Sequence, residues 1–176
     1  MQLSPQQKNT VTSMSLENII IVPMRSGSKS IKDKNIKLFS GYPLFHWGIT
    51  AALKSNCFDE IIVSTDSPRY GQMVSDHFSN DKVKIDLRPI DLAADETSTE
   101  DVLLEFFKRE TQYEQCLCIL HQITSPFVKA ENFTEIVRRY ETGNYDTLLS
   151  GVLFKRFIWD QYVKPLNYLP IKRPRR

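Results

Sequence analysis

An α/β fold with a mostly parallel sheet is predicted by three features of this sequence. Strand-like runs stand at residues 19–22, 60–64, 83–87, 116–121 and 147–153. Segments with helical apolar spacing alternate with them, the order that gives a parallel sheet covered on both faces. The run at 19–22 is apolar throughout, as in a strand buried on both sides. Sheets of this kind bind ligands outside the carboxyl ends of their strands. The polar loops after the first, third and fourth runs are therefore expected to line one crevice.

Residues 1–17 are polar and show no sustained period, and we read them as a disordered leader. After the first strand, Leu44, Trp47, Gly48, Ala51 and Ala52 form one stripe of a helix over 43–54, which places Trp47 in the core. Beyond the second strand, Ser67 fits an N-cap with Pro68 at the first helical position, opening a helix to about residue 78. The third strand leads through a loop to Ser98-Thr99-Glu100-Asp101, which resembles a capping box. The helix it opens turns Val102, Leu103, Phe106 and Phe107 inward. A last helix spans about 131–141, with Phe133, Ile136, Val137 and Tyr140 inward, before the fifth strand. Past Phe154 the periodicity fades.

The bulk composition narrows the function classes. A chain of 176 residues fits one domain with a real core, and 41% hydrophobic and 25% charged residues are ordinary for a globular protein. No apolar run approaches the ~20 residues of a membrane span, and the N-terminus has no apolar signal core, so a cytoplasmic chain without a membrane partner is expected. The net charge of +2 includes Lys172, Arg173, Arg175 and Arg176; without these four cations the remainder stands at −2, which does not favour nucleic acid as a partner. The same run, 172–176, also fits a nuclear-import patch, which makes a nuclear location the alternative. Cys57, Cys116 and Cys118 contain no CxxC pair; Cys116 and Cys118 fall on one side of a strand and are expected to pack as small hydrophobes, with no disulfide and no zinc. His46, His77 and His121 show no ligand spacing, and core or surface roles are expected of them.

The chemistry concentrates in the loop after the first strand. Arg25, Lys29, Lys32 and Lys34 stand there with three serines and Gly27, and backbone N–H groups and cations gathered at a strand end make a phosphate site. A Walker A loop is excluded, since no glycine precedes Gly27 by five positions, and a dinucleotide fingerprint would need three spaced glycines. What remains is a basic loop able to neutralise a triphosphate, as nucleotidyl transfer requires. On charge alone, a solvated basic loop fits equally well.

The motifs from Val22-Pro23-Met24-Arg25-Ser26-Gly27-Ser28-Lys29 to Lys34-Asn35 resemble the N-terminal signature of the acylneuraminate (sialic acid) cytidylyltransferases. The resemblance continues through Val63-Ser64-Thr65-Asp66, Leu87-Arg88-Pro89, Thr97-Ser98-Thr99 and Gln122 with Thr124-Ser125-Pro126. Phe157, Trp159, Pro165-Leu166-Asn167 and Lys172 to Arg176 look most like the animal-type enzymes. The pattern is departed from at Met24 (usually Ala), Ser26 and Ser30 (Gly), Lys32 (Pro) and Ile123 (Pro). A serine in place of glycine matters only where φ is positive.

That resemblance implies a three-layer α/β/α Rossmann-like nucleotidyltransferase fold over residues 18–176. It implies transfer of CMP from CTP to a sialic acid, giving CMP-sialic acid and pyrophosphate, with Mg2+ as cofactor. By the same analogy Arg25 and Lys34 are catalytic, and Met24, Arg25, Ser28, Lys29, Asn35, Arg88 and Ser98 bind nucleotide. Gln122, Thr124, Ser125 and Arg173 would bind the sugar acid. The helix-cap reading of Ser98 stands beside ligand contact. The family continues into a dimerisation element and an Asp-x-Asp metal motif; no Asp-x-Asp occurs in this sequence, so that C-terminal part is expected to be missing. The family suggests a homodimer or homotetramer. The alternatives are a cytidylyltransferase for another sugar acid (3-deoxy-octulosonate, legionaminate, pseudaminate) and a non-catalytic form that binds nucleotide or a partner.

Overall fold

The computed structural model describes residues 18–94, 96–153, 157–167 and 169. The leader assigned to 1–17 and the basic run 172–176 lie outside these residues. The chain divides into two units, one ending at Thr142 and the other beginning at Gly143.

The first unit carries a four-stranded parallel sheet. Its strands are β1 (Asn18–Pro23), β4 (Glu60–Thr65), β5 (Val83–Leu87) and β6 (Leu117–Leu120), in the spatial order β5-β4-β1-β6. β1 is central because its side chains are apolar on both faces: Ile19, Ile20, Ile21 and Val22 are all fully buried. Two cores follow from its alternation. Ile20 and Val22 join Phe45, Ile49, Ile61, Val63 and Phe133 on one face, and Ile19 and Ile21 join Ile62 and Phe106 on the other. The three-layer expectation holds. Cys116 and Cys118 pack against the second core as small hydrophobes, and burial pushes the Cys118 thiol up to about 12.

Helix starts follow their caps. In α2 (Pro68–His77) the Ser67 hydroxyl accepts from Tyr70 N–H, with Pro68 in the first turn. In α3 (Thr99–Arg109) the Ser98 hydroxyl accepts from Asp101 N–H at 3.0 Å while the Asp101 carboxylate accepts from Ser98 N–H at 3.0 Å, a complete capping box. α4 (Ala130–Thr142) buries Phe133 and Val137 as expected.

The run-up to α1 (Leu44–Ser55) is more structured than its sequence suggests. Two-residue strands β2 (Leu38–Phe39) and β3 (Tyr42–Pro43) form a hairpin turning through Ser40 and Gly41, both at positive φ. Trp47 is not a core residue. Its indole N–H donates to the Phe39 carbonyl at 3.1 Å and its ring meets Phe39 and Tyr42 edge-on, which fastens the hairpin to the helix. The buried face is Phe45, Gly48, Ile49, Ala51 and Ala52: Gly48, Ala51 and Ala52 of the expected stripe are buried, and Phe45 and Ile49 take the places expected of Leu44 and Trp47.

Gly48 is where α1 comes closest to the sheet. A Cβ built there would lie 2.1 Å from His121 Nε2 and 2.6 Å from its Cδ2. His121 continues the β6 pairing through its N–H to the Ile21 carbonyl (2.9 Å) and is buried, its ring edge-on to Phe133. Burial alone pulls its pKa down to about 4, so the ring is neutral at physiological pH. A core role is thus what the structure gives it.

The expected fifth strand does not form. Residues 147–153 carry strand-like side chains, but Leu149, Val152 and Leu153 are exposed, and among the described residues no strand pairs with this run. An apolar β-branched sequence becomes a strand only where a neighbour takes its backbone hydrogen bonds. The second unit holds instead a tight reversal at 158–166. Trp159 bridges Pro165, Leu166 N–H donates to the Ile158 carbonyl (2.8 Å), and the Asp160 carboxylate accepts from Tyr162 and Lys164 N–H (both 2.8 Å). Val163 sits there at φ +62°, a costly conformation for a β-branched residue.

Candidate active-site crevice

Three loops at the carboxyl ends of β1, β5 and β6 meet around a crevice of about 270 Å³. Pro23, Arg25, Ser28, Lys34 and Asn35 come from the first loop, and Arg88, Leu92, Ala94, Thr97 and Ser98 from the second. Gln122, Ile123 and Thr124 come from the third, with Thr99 and Val102 of α3 closing the floor. These are the first, third and fourth strands of the sequence reading.

The first loop owes its shape to fixed points. Met24 N–H donates to the Ser64 carbonyl at 2.8 Å, extending the β1–β4 register by one residue and so placing Arg25 at the mouth. Asn35 is buried, and its amide donates to the Arg25 carbonyl at 2.9 Å, joining the two ends of the loop. Neither Ser26 nor Ser30 has positive φ, and Gly27 is not in the left-handed region either. The serines that replace the family's glycines are therefore unstrained.

Arg88 is the strongest electrostatic feature. Only 6% exposed, it buries Nε and Nη1 without a hydrogen-bond partner among the described residues. Burial lowers its pKa, Asp66 and Asp86 pull it back up, and Arg25 lowers it again; an arginine starts so high that it keeps its charge. Leaving such donors unpaired costs about 1–3 kcal/mol each, a cost that a ligand acceptor in the crevice would relieve. Across the opening, Gln122 Nε2 approaches Thr99 Oγ1 at 3.4 Å.

Of the residues singled out from sequence, Arg25, Ser28, Lys34, Asn35, Arg88, Ser98, Gln122 and Thr124 share this crevice. Met24 does not: its side chain is completely buried in the first core, because strand alternation turns it inward with Ile20 and Val22. Exposed Lys29 and Ser125 are not part of the lining, Ser125 closing a turn onto the Gln122 carbonyl (2.9 Å). Arg173 lies outside the described residues. The Ser98 hydroxyl is engaged with Asp101, donating to Oδ2 at 2.8 Å, so the cap reading describes it. Thr97, Thr99, Leu92 and Val102 also line the crevice; sequence reasoning gave none of the four a site role, naming Thr97 and Thr99 only within a motif and Val102 as a core residue.

The described residues offer no group of three or more His, Cys, Asp or Glu that could hold a metal ion. Asp66, the acidic residue closest to the first loop's entry, spends both oxygens on Ser26. The described residues thus form no protein cage for Mg2+, and a Mg2+ held by water and the oxygens of a bound triphosphate would need none.

Comparison with known proteins supplies a context for this geometry. A family model described as cytidylyltransferase matches residues 19–166. An N-acylneuraminate cytidylyltransferase A of Danio rerio is 32% identical over 163 residues, covering 89% of this chain and 36% of that one. An N-acylneuraminate cytidylyltransferase of Escherichia coli is 36% identical over 124 residues, covering 70% and 28%. A CMP-N,N'-diacetyllegionaminic acid synthase of Legionella pneumophila is 32% identical over 142 residues, covering 78% and 59%. The chain thus spans about a third of the length of the first two relatives. Among solved structures, a CMP:2-keto-3-deoxy-manno-octonic acid synthetase complexed with CTP matches with a TM-score of 0.57 at 22% identity, over 71% of this chain and 47% of that one, a likeness of fold.

Proposed function

The chain belongs to the cytidylyltransferase family, and from that premise we propose that its crevice binds CTP and serves transfer of CMP to a sialic acid, with release of pyrophosphate. One observation carries this reading: Arg25, Lys34 and the buried, donor-rich Arg88 border a single crevice at the strand ends. A nucleoside triphosphate brings the negative charge that such a site lacks. Arg25 and Lys34, on the β1 loop, take the triphosphate and offset the charge that develops on the leaving pyrophosphate as the anomeric hydroxyl attacks the α-phosphorus. Arg88 and Gln122, on the opposite loops, supply donors for the base or the sugar; Gln122 can serve both a donor and an acceptor edge.

Titration of the purified chain with CTP, with ATP and UTP as controls, tests this. Selective CTP binding is expected; a folded chain that binds none of them refutes it. The similar identity to a legionaminic acid synthase favours one second reading, a different nine-carbon sugar acid as acceptor. Pyrophosphate release with a panel of sugar acids decides between the two, and no release with any of them makes the chain a nucleotide-binding, non-catalytic form. No described helix is long and apolar enough to cross a membrane. We place the protein in the cytoplasm; the homodimer or homotetramer that the resemblance suggests is proposed only for a chain that carries the dimerisation element. A shift into the nucleus that depends on Arg173, Arg175 and Arg176 would overturn the location.

A further inference from the structure

The β1 loop is held at both ends by a part of the chain that does not line the crevice. At its entry, Ser26 N–H donates to Asp66 Oδ1 at 2.9 Å and Ser26 Oγ–H to Asp66 Oδ2 at 2.5 Å. At its exit, Asp33 accepts from the Tyr70 hydroxyl at 2.8 Å. Asp33 sits at φ 52° as the residue that opens the short 3-10 turn Lys34–Ile36, so this bond fixes the residue from which Lys34 and Asn35 emerge. Asp66 and Tyr70 belong to one rigid corner between β4 and α2: Thr65 Oγ1 accepts from Ser67 N–H, Ser67 caps Tyr70, and the Tyr70 ring is 2% exposed. Arg25 and Lys34, the two cations assigned to the triphosphate, flank the two anchor points, each next in sequence to an anchored residue.

We propose that Asp66 and Tyr70 are positioning residues that set the span of the phosphate-binding loop, with Ser26 supplying a side-chain bond that a glycine at this position cannot make. The inference rests on the CTP reading of the crevice. Its physical content is preorganisation: a loop of six side chains between Ser26 and Lys34 would otherwise lose its freedom when the triphosphate binds, and that loss is subtracted from affinity. Burial, then the Asp33 bond, raises the Tyr70 pKa to about 12, so the phenol remains a donor throughout the working range. The clamp acts on phosphates and leaves the nucleoside end, on the loops after β5 and β6, untouched.

Asp66 is a poor residue to replace, because removing a negative charge beside an anion site would raise affinity by itself. Ser26→Ala and Tyr70→Phe remove one hydroxyl each and leave the charges in place. The purified chain and both variants, with Ser26→Thr as a rescue, are titrated with CTP, CDP, CMP and cytidine, after urea unfolding has shown each to be folded. One lost hydrogen bond predicts about fivefold weaker binding of CTP and CDP in each variant. Cytidine and CMP should stay within about twofold, and Ser26→Thr should bind as wild type. Variants that bind CTP as tightly as wild type overturn the clamp while leaving the nucleotide reading intact. Equal losses for CTP and cytidine overturn it too, since that is what a merely structural defect gives. A wild-type chain that binds no CTP overturns the nucleotide reading and the clamp with it.

Discussion

Gly48 and His121 give a prediction whose sign is the test. In an unobstructed helix interior, glycine to alanine stabilises by about 0.8–1 kcal/mol, because alanine loses less backbone entropy. Gly48 is mid-helix in α1, but its missing Cβ would sit 2.1 Å from His121 Nε2 and 3.2 Å from Cε1. Relieving that overlap needs a ring displacement of well over 1 Å. The ring is buried, stands against Phe133 and is fixed at its backbone to Ile21, so either the ring leaves its place or α1 lifts off the sheet. Overpacking of this kind costs typically about 1–3 kcal/mol, occasionally more. Since the clash exceeds one bond length, the upper half of that range applies, and Gly48→Ala should be destabilising by about 1–2 kcal/mol after the helix gain is subtracted. Urea unfolding measures it directly. Coupling is the sharper reading: with His121→Ala in the same chain the clash is gone, so adding Gly48→Ala to that background should stabilise. A Gly48→Ala chain as stable as wild type, or one whose effect is the same with and without His121, refutes the packing argument.

Three further outcomes follow from groups already described. The His121 imidazole takes up a proton near 6.5 when unfolded and near 4 when folded, so the unfolded state binds more protons between those values. Its contribution is complete above about 6.5, falls as the pH is lowered, and levels off below about 4 at a loss of about 3 kcal/mol; the urea midpoints of wild type and His121→Gln should converge on acidification. Arg25→Ala should weaken CTP binding about 10–100-fold in this chain and abolish CTP turnover in a full-length relative, because charge-assisted bonds to phosphate are worth about 1.5–3 kcal/mol; unchanged turnover refutes the role given to Arg25. Ser98→Ala removes both hydroxyl bonds of the capping box and should cost about 1 kcal/mol in urea unfolding, with CTP affinity changed only slightly; a large loss of CTP affinity at unchanged stability would make Ser98 a ligand contact after all.

What could be read from the sequence was whatever local chemistry decides. The strand at 18–23 announces itself because four apolar residues in a row, Ile19 to Val22, need burial on two faces. The strand at 60–65 carries three, Ile61 to Val63, and 83–87 alternates Val83, Ile85 and Leu87 with Lys84 and Asp86, the period of a half-buried strand. α2 and α3 are legible because Ser67-Pro68 and Ser98-x-x-Asp101 satisfy orphan helix donors within a few residues. Trp47 and residues 147–153 were misread for one shared reason. Whether an indole is core or staple, and whether an extended run is a strand, depends on a neighbour that the local sequence does not name. The crevice was half legible in the same way. The strand-end rule brought the right three loops together, but Arg88 becomes electrostatically forceful only through burial, and Met24 is excluded only by the pleat. Asp66 and Tyr70 were invisible as supports, because their partners stand 40 and 37 residues away.

The negative φ angles of Ser26 and Ser30 bear on how such sites drift. Where a loop needs left-handed backbone, each glycine is irreplaceable, and the sequence pattern survives as long as the function does. Here the path is dictated by anchors lying elsewhere in the chain, and apart from Asp33, at φ 52°, the loop's own residues adopt conformations open to any amino acid. Divergence can then rewrite the loop letter by letter while the crevice keeps its shape. A glycine-based signature is therefore a record of ancestry in this chain, and the strand–loop register between β1 and β4 is the more durable mark by which its distant cousins could be found.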